Sequence, residues 1–170
     1  MPFVTELVVR ESAPGQWELL APLEYEGRAD RFTVPAGTVT DLASVPRWLT
    51  WLVPVAGRWT KAAVLHDHLW DARAVSYADA DGVFRRVLRE LGVPLLRRWL
   101  MWAAVRAVSL LRYERRLGAV PAVAAVALPG ALFVAVPALV VLAFLLVYWL
   151  VEGAVGLVLR DPARRVVLPR

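Results

Sequence analysis

Three regimes of hydrophobic patterning follow one another along the chain. Over the first forty residues apolar and polar positions change in short runs broken by Pro and Gly, as in strands joined by turns. Val4 to Val9 predicts a first strand, and Ala13-Pro14-Gly15 a turn. Trp17 to Tyr25 predicts a second strand, interrupted at Pro22 as at a sheet edge or bulge. Arg31 to Val34 predicts a third, closed by Pro35-Ala36-Gly37. Together these give a small antiparallel sheet. Thr40, Asp41 and Ser44 then put three oxygen-bearing side chains into a short stretch ended by Pro46, which reads as a capped turn or short helix.

The second regime is helical. Thr60 to Trp70 predicts a helix with Thr60 as its cap, and Asp71 to Ser76 a loop. The next helix starts near Ser76 or Tyr77. Its Phe84, Val87, Leu88 and Leu91 fall at the three-and-four spacing of a buried face, and Gly92 and Pro94 end it. Asp81 lies on that same inward face, where a carboxylate is costly unless it is paired. Asp79 sits in the first turn, where its charge suits the helix N-terminus. Leu95 to Leu117 predicts a third helix that mixes Trp99, Met101 and Trp102 with Arg97, Arg98 and Arg106, a composition suited to a membrane interface. Trp48, Trp51 and Trp59 flank Pro54 and Gly57, and Trp59, just ahead of the first helix, is expected to cover the core.

The third regime has almost no polar positions. From Leu117 to Val151 no Asp, Glu, Lys, Arg, His, Asn or Gln occurs. That is about 35 residues, against the roughly 20 that cross a bilayer. Pro121, Pro129-Gly130 and Pro137 punctuate the tract, so two spans are expected, about 118–135 and 138–159, forming a transmembrane helical hairpin. The rival arrangement is one long span preceded by an interfacial segment, because Val136-Pro137-Ala138 lacks a polar turn residue. This division gives a polar α+β domain over 1–93, a basic interfacial helix over 94–117, the transmembrane region over 118–159 and a basic tail over 160–170.

Composition sharpens the picture at three points. The chain is 59% hydrophobic and carries a formal charge of +5. Arg97, Arg98, Arg106, Arg112, Arg115 and Arg116 precede the apolar tract, and Arg160, Arg164, Arg165 and Arg170 follow it. Basic clusters on both flanks predict membrane lipids as partners and a bacterial inner-membrane location with both ends cytoplasmic. They follow the membrane boundary rather than one polar surface, so nucleic acid is not the expected partner. Met1-Pro2-Phe3 has no basic region, and no signal-length apolar run follows it. The absence of cysteine excludes disulfides and Cys-ligated zinc.

The chemistry converges on Leu65-His66-Asp67-His68, which holds both histidines. Neighbours on a helix point about 100° apart, so His66 and Asp67 face different directions. The short connection between the first two helices favours an antiparallel pair, bringing Asp81 across from His66. Asp81 would then fix the His66 tautomer while Asp67, with Asp41 from the oxygen-rich loop, binds a divalent cation such as calcium. His66 and Asp81 are thus the catalytic candidates, and Asp67 and Asp41 the metal candidates, for a metal-assisted ester hydrolase with His66 as general base. The same residues also suit a structural network that does no chemistry. No Gly-rich phosphate loop and no nucleophile elbow is present.

The runs Val34 to Pro46, Ala62 to Trp70, Ala80 to Phe84, Leu91-Gly92-Val93 and Arg98 to Trp102 occur in an order that resembles a family of small phage and prophage proteins known as domain of unknown function 1353. The resemblance covers about residues 30–107 and implies phage or membrane-protein partners but no established activity. Trp70 stands where a Tyr is expected in that family. A second similarity is to the phospholipase A2 pattern, in which a His-Asp pair on one helix is supported by an Asp on an antiparallel helix. His66, Asp67 and Asp81 match those parts, and the likeness implies calcium at Asp67. The glycine-rich calcium loop and the disulfides of that pattern are missing. The chain is thus read as an uncharacterised phage-type membrane-anchored protein whose His-Asp residues are structural, with the phospholipase-like hydrolase as the alternative.

Overall fold

The computed structural model describes residues 2–27, 30–43, 50, 54 and 56–158 of the 170-residue chain. Two compact units divide the chain, residues 1–131 and 132–170. The first is an α+β unit. Its strands are β1 (Val9–Ala13), β2 (Gln16–Leu19), β3 (Leu23–Glu26), β4 (Arg31–Val34) and β5 (Val39–Thr40). Its helices are α1 (Thr60–Asp71), α2 (Tyr77–Glu90) and α3 (Leu95–Val108), followed by a π-helical turn (Ser109–Glu114) and a short 3-10 turn (Leu117–Ala119). The last helix, α4 (Val120–Val158), begins in this unit and continues through the second.

The strands make two small antiparallel sheets instead of one. One has the order β1-β2-β5 and the other pairs β3 with β4. Pro22 is the reason the expected Trp17–Tyr25 strand divides, since it has no N–H to continue a ladder. The first strand starts later than expected, at Val9, while Phe3 makes an isolated bridge to Tyr25. The Pro14-Gly15 turn is present. Gly15 adopts φ +75°, which needs no Cβ, and the ladder shifts register between Glu11 and Ala13. Val39 and Thr40 extend β2 antiparallel, with Trp17 opposite Thr40, so they are strand rather than the start of a short helix. The rest of that expected helix, with Ser44 and Pro46, lies outside the described residues, as do Trp48 and Trp51.

The core is where β3 and β4 meet α1 and α2. Leu19, Leu23, Tyr25 and Val34 from the strands pack with Leu65 and Leu69 of α1 and Phe84, Val87 and Leu88 of α2. Each fully buried side chain of this kind stabilises the fold by roughly 1.5–3 kcal/mol. Residues 62 to 66 are all buried, which places α1 at the centre of the unit and not on its surface. Trp59 is 4% exposed, as expected of a core cover, and its Nε1 donates to the Pro54 carbonyl at 3.1 Å. Thr60 is the first residue of α1 rather than its cap, and its hydroxyl instead accepts from the Gly57 N–H at 2.8 Å. Ser76 does cap α2, accepting from the Asp79 N–H at 3.1 Å. The inward face of α2 carries Ala80, Asp81, Val83, Phe84, Val87 and Leu88, and Gly92 at φ +71° follows its end.

The third helix departs from expectation in form. It is α-helical only to Val108; the π turn and the left-handed Arg115 (φ 53°) then end it. Met101 and Val105 of α3 pack on the core, while Ala103 and Leu110 meet Val123 at the start of α4 in a second small cluster.

The expected hairpin is not formed. Residues 120–158 are one helix, with no turn at Val136–Ala138. Apolar residues surround each proline there, and no polar turn residue offers the backbone another partner. Within it Val134–Val158, 25 residues, is long and apolar enough to cross a membrane. At 1.5 Å per residue that is about 37 Å, against a hydrocarbon core of about 30 Å.

Candidate functional site

Asp81 is the centre of the site. Its position on the buried stripe of α2 leaves it 0% exposed, so its charge must be met by protein groups. His66, on the facing side of α1, places Nε2 at 2.9 Å from Asp81 Oδ1. The Ser109 hydroxyl donates to Oδ2 at 2.7 Å, and Arg106 Nη1 donates to the same oxygen at 3.3 Å. Arg106 is itself held by Glu114 through two contacts, at 2.5 and 3.2 Å. One carboxylate therefore joins α1, α2, α3 and the π turn.

The π turn contributes to this geometry. Ser109 is its first residue and Glu114 its last, and both face the network. A π turn widens the helix locally and is rare enough to mark a constrained site. Ser109 is fully buried, which makes its bond to Asp81 a requirement of burial.

The imidazole is held in an aromatic slot. Its ring lies 4.9 Å from Phe84 and 5.3 Å from Trp70, centroid to centroid. Trp70 also meets Tyr77 and Tyr113 edge-on, at 5.2 and 4.8 Å. The Trp70 Nε1 is buried without a partner among the described residues, at the position where the family resemblance expects a Tyr.

On the far side of the ring, Nδ1 is 3.7 Å from Asp67 Oδ1, an ion-pair distance too long for a direct hydrogen bond. Asp67 is half-exposed, its side chain 42% accessible, and the Thr40 hydroxyl reaches its other oxygen at 3.5 Å. Thr40 also accepts from the Leu42 N–H at 3.0 Å, and Leu42 adopts φ 67°, a strained conformation for a branched residue.

These contacts set the protonation of the site. Burial draws the His66 pKa down, but the adjacent carboxylates of Asp67 and Asp81 outweigh it and leave the pKa raised above 6.5. Packing around Asp67 raises its pKa, against the lowering influence of His66, and the charges of Asp41 and Asp71 raise it further. With Nε2 committed to Asp81, Nδ1 is the ring atom left for proton transfer.

Of the four residues singled out from sequence, His66 and Asp81 are hydrogen-bonded and Asp67 lies beside the same ring. Asp41 belongs to the turn that follows β5, close enough for its charge to act on Asp67. No group of three or more His, Asp or Glu side chains arranged to hold a metal ion occurs among the described residues. Sequence reasoning missed Ser109, Arg106 and Glu114 as members of the network. A signal for two of them was present, because Arg106 and Ser109 are the only polar residues between Ala103 and Leu111 and stand three apart on one helix face.

The chain matches the model of a family described as protein of unknown function (DUF1353) over residues 17–105, just over half its length. That segment contains His66, Asp67 and Asp81 but ends before Arg106, Ser109 and Glu114. No curated protein and no solved structure matches the chain.

Proposed function

The chain belongs to the DUF1353 family, and from that premise we propose that it is a non-catalytic, membrane-anchored scaffold protein of phage or prophage type. The observation that carries the reading is the closure around Asp81. A fully buried carboxylate has both oxygens engaged, by His66 on one side and by Ser109 and Arg106 on the other. Such a set locks three helices in register and leaves Asp81 no room for a ligand. The phage setting rests on the family resemblance alone.

Anchoring rests on Val134–Val158 as a single crossing. One crossing puts the two ends of the chain on opposite sides, which replaces the both-ends-inside arrangement inferred from the arginine flanks. Six arginines lie between Arg97 and Arg116, against four from Arg160 onward, so the α+β unit is assigned to the cytoplasmic side. The test is carbonate extraction followed by protease protection. The full chain is expected to stay with the membrane, with tags at its two ends protected oppositely. Release by carbonate would remove the anchor, and equal protection would restore two crossings.

A second reading is favoured by one observation. The Nδ1 edge of His66 faces the half-exposed Asp67, the geometry of a supported base beside a carboxylate. It supports, as the alternative, an ester hydrolase with His66 as general base and Asp67 as a ligand to a divalent cation. Hydrolysis of short-chain and phospholipid esters by the wild type, lost in His66→Gln at unchanged melting temperature, would establish this reading and displace the scaffold.

A further inference from the structure

The next stripe of α2, about 100° around the helix, carries a different chemistry. Arg85, Arg86 and Arg89 point, with Arg98 of α3, into an open cleft of about 660 Å³. Asp30 and Asp79 are the acidic residues lining it, so four positive charges face two negative ones. Asp30 is taken by Arg86 at 2.5 Å, and Asp79 accepts from its own capping residue Ser76 at 2.6 Å. Arg85 sits between Trp99 and Trp102, its guanidinium carbon 4.8 and 5.2 Å from the two ring centroids, and the indoles stand edge to face. The two cation–π contacts hold the guanidinium at the cleft. The side chains of Arg89 and Arg98 make no hydrogen bond or ion pair with other described residues. At Gly82 an added Cβ would meet nothing within 4 Å, so the helix backbone there is open.

Trp99 also lines a second, apolar groove of about 170 Å³, formed with Leu95, Leu96, Leu100, Val126 and Pro129. A basic cleft and an apolar slot thus meet at one indole. Leu95 and Leu96 are 59% and 46% exposed, apolar surface that a soluble anion would leave uncovered. We propose that these two cavities together bind one anionic phospholipid, its phosphate held by Arg89 and Arg98 beside Arg85 and an acyl chain lying along Leu95, Leu96 and Val126. Charge complementarity selects an anionic headgroup, and the adjoining slot selects an amphiphile over a free phosphate. The membrane reading above supplies only the source of the lipid, because binding is measurable whether or not the chain is anchored.

The experiment uses the full chain in neutral detergent and counts bound lipid by native mass spectrometry. Phosphatidylglycerol is expected to bind one to one, at least tenfold more tightly than phosphatidylcholine. Arg89→Ala/Arg98→Ala is expected to lose that preference by tenfold or more, as the removal of charge-assisted contacts requires, and to melt with the wild type because neither arginine side chain has a hydrogen-bond or ion-pair partner among the described residues. Arg89→Lys/Arg98→Lys is expected to keep most of it. If the alanine pair melts early, the lysine pair and the single Arg89→Ala decide: preference kept by the first and weakened severalfold by the second supports the site, and the reverse overturns it. Equal binding of the two lipids, or an unaltered preference in the alanine pair, overturns the proposal. Displacement of the lipid by inorganic phosphate at equal concentration makes this a free-anion site, and displacement by a short oligonucleotide makes it a nucleic-acid site. Either result ends the lipid assignment.

Discussion

Replacing Asp81 probes the whole network through one atom. In Asp81→Asn the side chain keeps its shape, but one acceptor oxygen becomes a donor amide. If the amide faces His66, the imidazole must accept at Nε2 and carry its proton on Nδ1, and the ion pair is lost. If it faces the other way, it meets the Ser109 hydroxyl and Arg106, both donors. Either orientation forfeits at least one charge-assisted hydrogen bond, worth about 1.5–3 kcal/mol. Arg106 is cushioned because Glu114 still holds it at 2.5 Å. Asp81→Ala removes the acceptor altogether, leaving the buried His66 imidazole without its counter-charge and Ser109 with only the Val105 carbonyl at 3.2 Å, for a loss of about 3–5 kcal/mol. The pH dependence is the finer readout. Because the folded pKa of His66 is raised above 6.5, the stability it contributes is fully present below pH 6.5 and is lost as pH rises through the raised value. Asp81→Asn should flatten that decline, since a principal charge favouring the imidazolium is gone. The assay is thermal unfolding of the full chain in neutral detergent, followed by near-ultraviolet circular dichroism from pH 6 upward. An Asn variant that melts with the wild type and keeps its pH slope would refute both the network and the closure argument built on it.

Two further substitutions address how the sheets are tied to the helices. Tyr25 is fully buried and donates to Glu90 at 3.0 Å, so Tyr25→Phe should cost about 1 kcal/mol and lower the melting temperature. Burial, then the Glu90 hydrogen bond and charge, push the Tyr25 pKa up to about 12, so the wild type should lose stability between pH 10 and 12 where the Phe variant loses less. Gly27→Ala should be more damaging than its size suggests, because the new Cβ would overlap the Tyr25 hydroxyl. Combining it with Tyr25→Phe should recover part of the loss, and full additivity of the two would show that the overlap is not the cause.

The parts of the site legible in the sequence were those set by periodicity. Asp81 was placed inward because it keeps step with Phe84 and Leu88, and a buried acid then demanded a partner that only an antiparallel neighbour could present. The features that escaped were set by tertiary contact. Nothing in Ser109 to Glu114 distinguishes a π turn from α-helix, since both bury the same apolar residues and differ by one residue in hydrogen-bond offset. The division of the strands into two sheets was half legible, because Pro22 marks a break but does not say which strand pairs with which. That choice is made by side chains such as Leu19 and Tyr25 finding α1 and α2. The hairpin failed for a related reason. Proline was read as a turn signal, but in a tract without polar side chains leaving the helix would strand backbone groups with no partner, so the helix persists through Pro129 and Pro137.

One periodicity accounts for both sites on α2. Asp81, Phe84 and Leu88 form one stripe; Gly82, Arg85, Arg86 and Arg89, advanced by one residue, form the next, about 100° around the helix. The first stripe is closed by α1 and the π turn, and the second opens into the cleft with Arg98. The two sets share no hydrogen-bond partner among the described residues: Asp81 is met by His66, Ser109 and Arg106, whereas Arg86 pairs with Asp30 and Arg85 makes cation–π contacts with Trp99 and Trp102. Changes to the first stripe therefore act on stability and its pH dependence, while changes at Arg89 and Arg98 act on ligand retention. The division also fits the extent of the family match. Residues 17–105 include both stripes of α2, but the network is completed only by Arg106, Ser109 and Glu114 beyond it. The His66–Asp81 pair lies within the matched segment, and its clamp onto the helix that leads to the apolar tract is made by residues outside that segment.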